Sequence, residues 1–172
     1  MPDQPVSVAL SLAVSLQKSA ADVVRPSSEI APSRSEPVVY MALVRGTRGY
    51  IERVAHQVNG AYANGWYDAS AVMLRRLIET LIIECFEAYK IESKIKDSSG
   101  NYYFLKDLVD LALSEPSWTL GRNVRSALPK LKEVGDKSAH SRRYNAHRED
   151  IDKLLKEVRD TVQELLVLAR LK

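Results

Sequence analysis

The chain has 172 residues, with 25 lysines and arginines against 22 aspartates and glutamates, a formal charge of +3. That length is one domain with room for an appendage. A composition of 45% hydrophobic and 27% charged residues excludes wholesale disorder. Seven glycines and seven prolines are too few for a turn-rich all-β fold. One cysteine excludes a disulfide framework, and three histidines leave little for a histidine metal centre, so neither metal nor cofactor is expected. The same cysteine usage fits a reducing cytoplasm.

In chain order, residues 1–24 read as an N-terminal helix, 25–37 as a linker and 38–172 as the body. Val6 to Leu16 is apolar, but Ser7, Ser11 and Ser15 interrupt it and Asp3 is the only charge before Lys18. It is expected to be neither a signal peptide nor a membrane span, which needs about 20 apolar residues. The linker RPSSEIAPSRSEP holds three prolines and four serines, residues that withhold backbone donors or compete for them.

The body reads as helical throughout. Between about Thr47 and Ala63, the residues Ile51, Val54, Ala55, Val58 and Tyr62 make one apolar stripe, and Asn64-Gly65 ends it. From about Tyr67 to Ile91, with Asp68 as N-cap, the residues Leu74, Leu77, Ile78, Leu81, Ile82 and Cys85 form a broad apolar face. Val72, Arg76, Glu79 and Ile83 share the opposite side. A polar loop at Lys94 to Asn101 precedes a helix from about Tyr102 to Ser114, predicted to bury Phe104, Leu105, Leu108, Val109 and Ala112 before Glu115-Pro116-Ser117 breaks it. Trp118 to Val134 is a further helix with a kink at Pro129, and Gly135 is expected to end it. A last helix, about Arg148 to Leu171, carries Ile151, Leu154, Leu155, Val158, Val162, Leu165 and Leu166. Two long helices with shorter ones between them predict an all-α antiparallel bundle.

Charge is concentrated. Residues 122–148 hold eight basic and two acidic side chains, so this stretch carries +6. Arg122, Arg125, Lys130, Lys132, Lys137, Arg142, Arg143 and Arg148 lie there with His140 and His147. A basic block binds phosphates by releasing counterions, though a solvated helix face has the same composition. A helix break at Gly135 would expose backbone N–H groups as an anion site. Histidine as base or acid and arginine as charge clamp are the parts of a metal-independent ribonuclease.

Two segments, "RRLIETLI" (Arg75 to Ile82) and "LKEVGDKSAH" (Leu131 to His140), resemble the HEPN superfamily. The closest likeness is to the bacterial HEPN-related domain of unknown function found alone or fused to restriction and helicase subunits. The resemblance runs from about Thr47 to Leu171. Its Arg and Glu three apart correspond to Arg76 and Glu79, and its Gly-Asn-x-x-Ala-His-like segment to Gly135-Asp136 and Ala139-His140. It implies a HEPN-like bundle, a homodimer, and polar segments facing a cleft or the dimer interface, in a defence or stress setting. Arg142 to His147 has the Arg-to-His spacing of catalytic HEPN ribonucleases. The residue after that arginine is a second arginine, where the family has another polar type.

Several roles stay open for these residues. Arg76 and Glu79 are either a surface pair or a pair positioning His140. Asp136 and Ser138 read as caps at the Gly135 break. His140 is either locked into the bundle or a proton-transfer group. Arg142, Arg143, Tyr144 and Lys137 suit phosphate contact and base stacking, or anchor a loop by ion pairs. The expected function is an interaction or RNA-binding module, with an RNA or protein partner. The alternatives are an endoribonuclease using His140, His147 and Arg142, and a purely structural dimerisation domain.

Overall fold

The computed structural model describes residues 8, 11–16 and 36–172. The helical elements from residue 36 onward are α1 (Met41–Val44), α2 (Gly49–Ala63), α3 (Tyr67–Ala88), a 3-10 turn at Glu92–Ile95, α4 (Leu105–Ser114), α5 (Arg122–His140), α6 (Arg148–Asp152) and α7 (Leu155–Leu168). No strand occurs among the described residues, only an isolated bridge between Lys96 and Tyr102. The fold is all-α. Residues 11–16 are helical; the rest of the N-terminal helix expected over 1–24, apart from residue 8, and 25–35 of the expected linker lie outside the described residues.

The long helices alternate in direction. Gly65, at φ +76°, turns the chain between α2 and α3, a left-handed conformation that glycine adopts without strain. α5 runs back along α3: Asp136 reaches Arg75, and Ala146 beyond the end of α5 reaches Asp68 at the start of α3. α7 reverses again, so that Glu164 meets Gly121 at the start of α5. The result is an antiparallel bundle of α2, α3, α5 and α7, with α4 packed across α3 and α5.

α3 is the centre of the bundle. Leu74, Leu77, Ile78, Leu81, Ile82 and Cys85, the face expected to be apolar, are all buried. Each such side chain contributes roughly 1.5–3 kcal/mol when fully removed from water. The Cys85 thiol donates to the Leu165 carbonyl at 3.3 Å. Phe86 and Trp118 meet edge to face at 4.9 Å. The Trp118 ring nitrogen donates to the Ala112 carbonyl at 3.1 Å, so the chain after α4 is tied down.

The body begins before the first long helix. Val38 and Val39 are fully buried. Asn59 on α2 brackets Val39 from both sides, donating to its carbonyl at 2.8 Å and accepting its N–H at 2.9 Å. Arg159 on α7 bonds Glu36 at 3.0 Å and the Pro37 carbonyl at 2.7 Å, and lies over the Tyr40 ring.

Four expectations need correction. Phe104 is not buried but 80% exposed, because it precedes the first turn of α4 and lies outside its apolar stripe. Asp68 is not an N-cap; Trp66 holds that position, and the Asp68 carboxylate accepts the Ala146 N–H. The last helix is split, since Lys153 and Leu154 turn between α6 and α7. Gly135 does not end a helix. α5 continues through it to His140 and Ser141 caps it, its N–H bonding the Lys137 carbonyl at 3.0 Å. Gly135 is buried because α3 lies against it. A Cβ there would come within 2.5 Å of the Arg75 Cβ and 3.1 Å of the Ala71 carbonyl oxygen.

Candidate functional site

The resemblance segments meet where α3 crosses α5. Contact through Gly135 brings the two backbones close, and the polar groups beside it pair. Arg75, not Arg76, is the arginine involved. Its Nε donates to Asp136 at 2.8 Å, and its Nη1 lies 3.4 Å from Glu79. Lys132, one turn before Asp136, bonds the other carboxylate oxygen at 2.5 Å. The side chains of Arg75 and Asp136 are 22% and 30% exposed. Burial pushes the Asp136 carboxyl up, but hydrogen bonds from Lys132 and Arg75 outweigh it and leave the pKa below the ordinary aspartate value. Arg76 is exposed and its guanidinium has no partner among the described residues. Asp136 and Ser138 lie inside α5 and cap nothing.

The stretch after α5 is a separate unit. His140 is the last residue of α5, and Ser141 to His147 cross to α6. The Asp68 carboxylate holds the Ala146 N–H at 2.9 Å. Asp150, in the first turn of α6, accepts the His147 backbone N–H at 2.9 Å and the Tyr144 hydroxyl at 3.1 Å. The His147 backbone bond, ahead of burial, sets the Asp150 carboxyl below its ordinary range, with the Tyr144 bond lowering it further. Tyr144 is half-buried against the core, and burial followed by the Asp150 bond pushes its phenol up to about 12. Its hydroxyl is engaged by the fold through Asp150.

The expected residues therefore divide. Glu79 and Asp136 come together, through Arg75. His140, His147, Arg142 and Arg143 are all exposed. No hydrogen bond or ion pair joins Arg142 to His140 or His147. Among the described residues, no group of three His, Cys, Asp or Glu side chains could hold a metal ion. No helix among them is long and apolar enough to cross a membrane.

Half of the eight cations of the basic block are engaged. Lys132 pairs with Asp136, Lys137 with Glu133, Arg148 with Asp152, and Arg125 donates to the Leu113 carbonyl. Arg122, Lys130, Arg142 and Arg143 are exposed and unpaired among the described residues. At about 100° per residue, Arg122 and His140 share one line on α5, and Lys130 lies within about 80° of it. The unpaired cations Arg122 and Lys130 thus mark a strip on the exposed side of α5 that leads to the Arg142-Arg143 pair, with the Glu133–Lys137 ion pair lying on it.

Sequence reasoning missed Arg75 and the role of Gly135. The signal was present: Arg75 and Glu79 stand four apart, the spacing at which helix neighbours meet. A glycine flanked by good helix formers on both sides also marks close packing as readily as a break.

These features define a small helical domain with a locked α3–α5 crossing and an open cationic strip. Residues 56–172 match the family described as a domain of unknown function (DUF4145). The match covers more than half of the chain, and the chain belongs to that family. Among curated proteins and among solved structures, nothing matches. The match begins within α2, so α1 and the clasped segment from Glu36 lie before it.

Proposed function

We propose that this protein is a non-catalytic RNA-binding module whose contact surface is the strip Arg122, Lys130, His140, Arg142 and Arg143. The supporting observation is that Arg142 and Arg143 stand exposed and, among the described residues, unpaired on a turn whose backbone is held by Asp68 and Asp150. Asp68 and Asp150 accept the backbone N–H groups of Ala146 and His147, and neither forms an ion pair with Arg142 or Arg143 among the described residues. A fixed loop carrying two free guanidiniums offers bidentate phosphate contacts at little conformational cost.

His140 and His147 stand exposed, and the cavity that Arg122 lines is bordered by Asp160, Gln163 and Glu164 and by no histidine. General base catalysis needs a histidine within about 2.6–3.2 Å of the proton it removes and a group that orients it. That requirement favours binding over cleavage.

Fluorescence anisotropy with a labelled single-stranded RNA tests the reading. Binding should weaken with salt. Arg142→Ala with Arg143→Ala should reduce the log–log salt slope by about 1.4, at about 0.7 for each phosphate no longer neutralised. Absence of binding by the native protein at 50 mM salt, or an unchanged slope in the double variant, overturns it. Cleavage of the RNA in EDTA that depends on His140 or His147 would establish the ribonuclease instead.

A further inference from the structure

We infer that the patch around Phe104 is the docking site for this chain's own N-terminal helix. Phe104 is the most exposed large hydrophobic side chain among the described residues. Its position is fixed rather than loose. The Tyr103 N–H bonds the Ile95 carbonyl at 2.9 Å, and the Tyr102 hydroxyl bonds Glu87 at 2.6 Å. Beside it, Tyr103, Asp107, Asp110 and Leu111 line a cavity of about 440 Å³. An aromatic held in water by ordered backbone next to a cavity marks a contact surface.

The N-terminal segment carries the complementary face. Val8, Leu12 and Leu16 are spaced i, i+4, i+8, one line of a helix, and they are 55%, 56% and 65% exposed. A helix of this length keeps its form only by burying such a face. Charge agrees as well: Lys18 follows the stripe, while Asp107 and Asp110 are exposed and make no ion pair among the described residues. Reach does not limit the contact. Residues 17–35 span at most about 65 Å at roughly 3.3–3.6 Å each, against a radius of gyration of about 15 Å for a body of this size.

Disulfide trapping in the full chain tests this. Cys85, the only native cysteine, is buried and does not compete. Ser15 flanks the stripe, whereas Val14 points to the opposite side of the helix. Ser15→Cys with Asp107→Cys should close within one chain about tenfold faster than Val14→Cys with Asp107→Cys. A tether without docking would bring both cysteines to the patch equally often. Adding Phe104→Ser should remove the difference. Equal rates in the two pairs, a disulfide that joins two chains, or a difference that survives Phe104→Ser overturns the inference. None of these readouts depends on RNA.

Discussion

Gly135 on α5 lies directly against Arg75 on α3, and the space between them is smaller than a methyl group. A Cβ added at Gly135 would stand 2.5 Å from the Arg75 Cβ. The same Arg75 reaches past this contact to bond Asp136, so one residue pair closes the helices together and its neighbour fastens them.

Gly135→Ala should destabilise the protein. On an exposed helix the change would stabilise by about 1 kcal/mol. Here the clash involves a Cβ and a backbone carbonyl, neither of which swings away. Overpacking of this kind costs about 1–3 kcal/mol, and the net loss should appear as a lower urea midpoint. A midpoint raised by the substitution would show that the helices separate freely.

The Asp136 carboxyl makes the crossing sensitive to acid. Its pKa is lowered in the folded state, so its contribution is fully present above the unfolded value of about 3.9 and is lost as pH falls through the folded pKa. At pH 7, Asp136→Asn should cost about 1 kcal/mol. The difference between native and variant should shrink below pH 4, read from denaturation curves at a series of pH values. A constant difference across the series would contradict the ion pairing.

Cys85 should be nearly inert to thiol reagents in the folded protein. Burial, followed by the charge of Glu84, pushes the thiol up to about 12. At pH 8 little thiolate forms, and the side chain is 1% exposed. Labelling by a thiol–disulfide reagent should run at least about 10³-fold slower than for a free cysteine and should accelerate in urea. Rapid labelling without denaturant would mean that α3 and α7 separate.

Arg142→Ala with Arg143→Ala should leave stability unchanged within about 0.5 kcal/mol, because neither residue has a partner to lose among the described residues. Circular dichroism melts of the double variant check this. A large loss of stability would turn the pair into a structural anchor.

Arg159→Ala should cost about 1–2 kcal/mol. The side chain is 16% exposed, and its guanidinium serves Glu36, the Pro37 carbonyl and the Tyr40 ring together. Hydrogen exchange at Val38 and Val39 should accelerate while exchange within α3 stays slow.

The sequence made the bundle legible where periodicity was strong. The stripes of α2, α3 and α7 are buried as expected, because a 3.6-residue repeat of aliphatic side chains has few other solutions. It was least legible at Phe104 and Gly135, for related reasons. An apolar residue one position before a helix looks like part of its stripe, and a glycine at a helix crossing looks like a terminus. Both depend on a neighbouring helix that local pattern does not contain. The basic block was visible, but the division between paired and free cations was not. That division depends on which carboxylates the fold brings alongside, as Asp136 meets Lys132 and Asp152 meets Arg148.

The Arg159 clasp determines how force enters the molecule. Tension applied along the N-terminal arm arrives at Glu36, where it meets two hydrogen bonds from α7 and then the Asn59 bracket on Val39. These contacts, together with the buried Val38 and Val39 side chains, would be loaded in sequence. A pull at residue 36 is therefore borne by α7 and α2, and not by the α3–α5 crossing, whose Arg75–Asp136 bond involves neither Arg159 nor Asn59.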